Sequence, residues 1–222
     1  MAKHEMKKPT VRIPAYSLHE ELMNAISHGV GALFAIAALV LCVVKSALHG
    51  DPWAVVSSAV YGTTLILMFT LSTIYHALKI NKAKRVFRVL DHCGVFLVVA
   101  GSYTPYTLVT LRGPVGFTIF GIIWAFTILG IVFNALNVDR FIIISAVINL
   151  ITGWGILAAL KPLVHALPAF GVTLLLSGGV FYTLGAVLYA IGSKKKFFHS
   201  VFHVFVLIGA ILHFFSIFLY VI

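Results

Sequence analysis

Apolar runs of about 20 residues recur along the chain, each bounded by charge, glycine or proline, and this pattern decides the fold class. They fall at residues 22–47, 53–78, 89–111, 115–137, 141–160, 168–192 and 198–222. Each is long enough to cross a hydrocarbon core of about 30 Å as an α-helix, which satisfies its own backbone polar groups. The pattern predicts an all-α membrane protein, a bundle of seven transmembrane helices. Its connections are short, so helices adjacent in sequence should be neighbours in space. Residues 1–21 read as a polar, basic tail without the apolar core and cleavage site of a secretory signal, and residues 22–222 as one transmembrane domain.

Composition agrees with this reading. Of 222 residues, 61% are hydrophobic and 10% charged, against about 25% charged in soluble domains. So few charged side chains cannot cover a soluble surface. Seven spans need about 140 residues, which leaves about 80 for tail and connections and no room for a separate soluble domain.

A formal net charge of +10 suggests nucleic acid, but that partner needs a solvated basic face interleaved with aromatics, whereas these cations sit in short runs between spans. They sort by side instead. With the first span starting inside, Lys3, Lys7, Lys8, Arg12, Lys79, Lys82, Lys84, Arg85, Arg88, Arg140, Lys194, Lys195 and Lys196 lie on one side, against Lys45, Arg112 and Lys161 on the other. The positive-inside rule then predicts a cytoplasmic N-terminus and an extracytoplasmic C-terminus in the cell's inner (plasma) membrane. No nucleic-acid partner is expected, and the short loops offer little surface to a soluble protein. Cys42 and Cys93 lie inside spans and form no paired motif.

Ionisable residues inside spans are costly enough to mark a candidate site. Glu21, Asn24 and His28 share one face at the start of the first span. Ser72 and His76 close the second, Asp91 opens the third, and His199 and His203 open the seventh. All fall at the end predicted to be cytoplasmic. His199 and His203, four residues apart on one helical face, can reach a single metal ion at about 2.0 to 2.1 Å, and His76 can add a third nitrogen. Three neutral nitrogens leave the fourth tetrahedral position open, the arrangement of catalytic zinc. Softer metals would want thiolates, and magnesium or calcium more carboxylates. Asp91 can hydrogen-bond a water at the open position and Ser72 can donate to an oxyanion. The plainer alternative, which spacing alone leaves open, is a set of interfacial or hydrogen-bonded structural histidines. On the third span, the stretch from Gly101 to Tyr106 reads as a proline kink at Pro105 whose freed carbonyls are met by serine and threonine hydroxyls.

These segments, taken in order, resemble the haemolysin III branch of the progestin and adipoQ receptor superfamily over all seven spans. Glu21, Asn24 and His28 match its E-x2-N-x3-H signature, Ser72 and His76 its S-x3-H, Asp91 the aspartate that opens the third helix, and His199 and His203 its terminal H-x3-H. The resemblance implies zinc held by His76, His199 and His203, with Asp91 contacting the water and Ser72 assisting at the oxyanion. Glu21, Asn24 and His28 would brace an inner polar network. Ceramidases and adiponectin receptors in the superfamily imply hydrolysis of a lipid amide or ester, with a membrane lipid as substrate and a role in lipid homeostasis. Two other readings compete. One is a haemolysin-type cytolytic or channel-forming protein, although near-uniform apolar helices lack the soluble state of a secreted toxin. The other is a membrane receptor or sensor with structural zinc.

Overall fold

The computed structural model describes residues 11–192 and 195–222; the predicted tail residues 1–10, with Lys3, Lys7 and Lys8, and also Lys194, lie outside the described residues. Seven helical spans cross the molecule, and no strand occurs among the described residues. Helix α1 (Leu18–Leu48) begins four residues before the apolar run. Ser17 explains the earlier start: its hydroxyl accepts the Glu20 N–H at 3.3 Å while the Glu20 carboxylate accepts the Ser17 N–H at 2.9 Å, a reciprocal capping box. Helix α2 (Pro52–Ala77) opens on Asp51, whose side chain accepts from the Trp53 N–H, with Pro52 in the first turn where no N–H is missed.

Helix α3 (Lys82–Pro105) starts well before the predicted span. The basic run from Lys82 to Arg88 is helical, capped by the Asn81 side chain on the Lys84 N–H at 2.8 Å, so hydropathy detects only the apolar remainder. Its far end departs from α-helical geometry after Pro105, in a single π-turn, Tyr106–Thr110. Pro105 supplies no N–H to the preceding turn, and the Thr104 and Thr107 hydroxyls donate to the Ala100 and Tyr103 carbonyls at 2.8 and 3.0 Å. Helix α4 (Pro114–Asn137) follows. The fifth span is interrupted: α5 (Ile142–Gly153) gives way to a 3-10 turn, Gly155–Ala159, and then to α6 (Leu160–Ala166). Tyr103 braces the break, its hydroxyl donating to the Gly153 carbonyl at 2.9 Å and accepting from the Ile156 N–H at 2.7 Å. Such an irregularity at membrane depth requires protein partners of this kind. Helices α7 (Ala169–Gly192) and α8 (Phe198–Tyr220) complete the chain.

Helix α1 packs along α2, α2 along α3 and α7 along α8, and α8 closes on α1, whereas α5 meets α7 only sparsely. In lipid, close approach replaces the hydrophobic effect between helices. Gly178 and Gly209 provide it between α7 and α8: a Cβ on either would stand 3.1 or 3.2 Å from the other's carbonyl oxygen. Large apolar side chains such as Leu33, Leu136, Ile143 and Phe170 point outward, the inversion expected of a surface solvated by lipid. The most enclosed helices, α2, α3 and α8, are those bearing His76, Asp91 and the His199–His203 pair.

At the end of the bundle that carries these residues, Asp139 ties three segments together. It accepts the Arg12 N–H at 2.9 Å and pairs with the Arg88 guanidinium at 2.7 Å. Partial burial alone would raise its pKa, but the Arg12 N–H and the Arg88 guanidinium hold the carboxyl below the usual carboxylate range. A folded pKa below the unfolded value of about 3.9 adds stability above that value, and the contribution disappears as pH falls through the folded one. Thermal denaturation from about pH 7 down to about pH 3 should show an acid loss that Asp139→Asn lacks. Equal pH slopes in the two proteins would refute this contribution.

Candidate metal centre

His76, His199 and His203 are 2%, 7% and 1% exposed and come together although they belong to two helices. His76 lies in the last turn of α2, while α8 carries His199 and His203 in its first two turns on one face. The His199 Nε2 stands 3.4 Å from the His76 Nε2 and 3.1 Å from the His203 Nε2, and all three ligand nitrogens lie within 4.8 Å of one another. A tetrahedral ion with bonds of 2.0 to 2.1 Å requires nitrogens about 3.3 Å apart. The three imidazoles therefore fit a metal ion.

The first-helix motif splits into separate roles. Glu21 accepts from His76 Nδ1 at 2.6 Å through one carboxylate oxygen, and from Lys84 Nζ at 2.7 Å through the other. Lys84 is 1% exposed; its ammonium also donates to the Leu78 carbonyl at 2.9 Å and lies over the Tyr75 ring. The fully buried Asn24 amide reaches the same His76 nitrogen at 3.3 Å. His28 packs rather than bonds, its ring stacked on His203 with centroids 3.7 Å apart, edge-on to Phe69, and neither of its nitrogens has a partner among the described residues.

Ser72, one turn before His76, is buried with its hydroxyl unpartnered among the described residues, as is Ser200 beside His199. Asp91 is half-buried and makes no hydrogen bond among the described residues. His92, on a different face of α3 from Asp91, accepts from the Asn134 amide through its carbonyl and sets its ring edge-on to Tyr189. His213 is held ten residues away from His203 by the Leu175 carbonyl.

Residues absent from the motif reading also surround the centre. Tyr16 stacks on His199 at 4.9 Å between centroids with planes 22° apart, so the segment before α1 covers the histidines. Burial pushes the Tyr16 hydroxyl pKa up, which keeps it a neutral cap. Glu20 receives the Phe197 N–H at 2.8 Å, in addition to capping α1. Phe197 takes a left-handed conformation, φ 63°, immediately before α8, and this bond pins the helix end that presents His199 and His203. Lys84 and Arg88 had the one legible signal: at i and i+4 on α3 they share a face, and both are buried while Lys82 and Arg85 are exposed.

Donor chemistry further narrows the centre. Three imidazoles with no thiolate among the described residues suit a borderline transition metal, and three protein ligands would leave a coordination position open.

The same end-of-bundle residues are embedded in similarity that covers nearly the whole chain. The family described as Haemolysin-III related matches residues 16–214. Hemolysin-3 of Bacillus cereus is 42% identical over 91% of this chain and 92% of its own, and the Hemolysin-3 homolog of Bacillus subtilis is 38% identical over 92% and 96%. The human Monocyte to macrophage differentiation factor is 23% identical over 91% of this chain and 84% of its own. No solved structure matches. A seven-span bundle, four motifs at one end of it and close similarity to two bacterial proteins lead to one assignment: this chain belongs to the haemolysin III family.

Proposed function

We propose that this chain is a zinc-dependent hydrolase that cleaves an amide or ester bond of a membrane lipid and serves membrane lipid homeostasis. One observation carries the reading: three buried imidazoles gather at one end of the bundle, with the Nε2 atoms of His76 and His203 3.4 and 3.1 Å from that of His199. His76, His199 and His203 would hold the ion. Zinc in such a site supplies Lewis acidity toward a carbonyl oxygen and lowers the pKa of water toward about 7. The Ser72 hydroxyl, with no partner of its own among the described residues, is available to donate to the carbonyl oxygen as negative charge develops there. Asp91, half-buried and free of hydrogen bonds among the described residues, accepts a proton from the attacking water. Water adds to the carbonyl carbon, the bond to nitrogen or oxygen breaks as Asp91 returns the proton to the leaving amine or alcohol, and the carboxylic acid is released with it. The outward apolar surface lets a lipid approach laterally.

The cation distribution supports a cytoplasmic N-terminus, an extracytoplasmic C-terminus and residence in the plasma membrane, which sets the histidines at the inner leaflet. Purified zinc-loaded protein in nanodiscs containing a ceramide or a phospholipid is expected to release fatty acid, measured by mass spectrometry. Ser72→Ala and Asp91→Asn should each lower release about 100-fold with zinc content unchanged. Release no faster than that of His199→Ala would overturn the proposal.

The name of the Bacillus relatives favours a second reading, lysis of a membrane through a channel or through altered lipids. Conductance across pure lipid bilayers that persists in His199→Ala would establish the channel over the hydrolase.

A further inference from the structure

The structure assigns to Glu21 the positioning of His76, setting which of its nitrogens faces the metal. This rests on the reading of His76 as a zinc ligand. Glu21 is held on both sides, one carboxylate oxygen 2.7 Å from the Lys84 ammonium and the other 2.6 Å from His76 Nδ1. With the Lys84 ammonium donating to one oxygen, the other carboxylate oxygen stands as acceptor to His76 Nδ1, so the shared hydrogen is assigned to the imidazole. With Nδ1–H donating to Glu21, the Nε2 lone pair faces the nitrogens of His199 and His203. The His76 ring is also fixed against rotation, because a turn about its axis would break the 2.6 Å bond.

The arrangement is asymmetric. The His203 Nδ1 has no partner among the described residues, so the carboxylate acts on the α2 ligand alone. That ligand is the one that needs it. His199 and His203 share a helix whose geometry sets their spacing, whereas His76 arrives from α2 and must be aligned with them across a helix interface. A buried ion pair is weak evidence of stabilisation, since apolar side chains of similar volume often replace one without loss. The Glu21–Lys84 pair at the foot of an apolar bundle is accounted for by the bond it makes possible to His76. Lys84, reached from α3, thereby acts on the centre through Glu21.

The test is zinc affinity by chelator competition in the full-length protein, alongside the thermal midpoint of the metal-free form. Glu21→Gln removes the charge. Glu21→Met with Lys84→Met replaces the whole pair by apolar side chains of matching length, which keeps the bundle folded. Both variants should bind zinc about 10- to 100-fold more weakly, the usual effect of losing an outer hydrogen bond to a ligating histidine. Asp51→Asn, which disturbs the pair with Arg112 at the opposite end, should leave the affinity unchanged. A double variant that stays folded and binds zinc within about threefold of the natural protein would overturn the inference while leaving the zinc reading intact. Failure of the natural protein itself to bind zinc would remove both.

Discussion

His203→Ala is expected to insert and purify as the natural protein does, yet to lose its zinc. The imidazole is 1% exposed and its Nε2 stands 3.1 Å from that of His199, so removing it leaves two nitrogens where three would hold the ion. Deleting an outer hydrogen bond to a ligand weakens metal binding about 10- to 100-fold, so deleting the ligand should weaken it by more than about 100-fold. Insertion should persist because alanine is more compatible with lipid than histidine, and because the interface with α7 depends on Gly178 and Gly209 farther along the helices. Elemental analysis of the purified variant decides the matter: about one zinc per chain in correctly inserted His203→Ala would remove this residue from the ligand set.

Lys84→Met is expected to cause the largest loss of stability among single changes away from the histidines. Its ammonium donates to Glu21 and to the Leu78 carbonyl and lies over the Tyr75 ring, at a side chain 2% exposed. Breaking a buried pair by removing one partner leaves the other charge uncompensated, at a cost of about 3 to 5 kcal/mol. Replacing both partners, Lys84→Met with Glu21→Met, should restore stability to within about 1 kcal/mol of the natural protein. Denaturation of the natural protein, Lys84→Met, Glu21→Met and the double variant in one detergent measures the coupling, and losses that add in the double variant would show that the two side chains do not act as a pair.

The contrast between Lys84 and its neighbours shows what a linear pattern can carry. Lys82, Lys84, Arg85 and Arg88 read alike as a topology signal, since a charge beside an apolar run reports a membrane side whatever it touches. In the fold, Lys84 and Arg88 turn inward to Glu21 and Asp139 while Lys82 and Arg85 remain exposed. Their spacing of four was visible, but the helix that contains them was hidden because hydropathy begins α3 only where the apolar residues begin. Glu20 and Tyr16 carried no comparable signal. Glu20 read as part of the tail beside a motif residue, and its bond to Phe197 joins residues 177 positions apart. Tyr16 lies on His199 because Arg12 is tied to Asp139 and Ser17 caps α1, a path that no periodicity records.

The fifth span repeats the point within a single helix. Its apolar run predicted an uninterrupted crossing, since hydropathy does not register a break whose backbone groups are met by a side chain from elsewhere. Tyr103 of α3 supplies that side chain at Gly153 and Ile156.

By itself the sequence determined seven spans, the sorting of cations toward one side, and four polar motifs at one end of the bundle. A run of apolar residues as long as a membrane is thick has one stable conformation in lipid, and residues three or four apart on a helix share a face wherever that helix packs. The pairing of His199 with His203 is local in this sense and was legible. The meeting of His76 with that pair, the Glu21–Lys84 clamp behind it, the stacking of His28 on His203 and the cover of Tyr16 are not local. They depend on how α1, α2, α3 and α8 pack and on where each side chain turns, and those are settled only when close-packed helices must satisfy all their buried polar groups together.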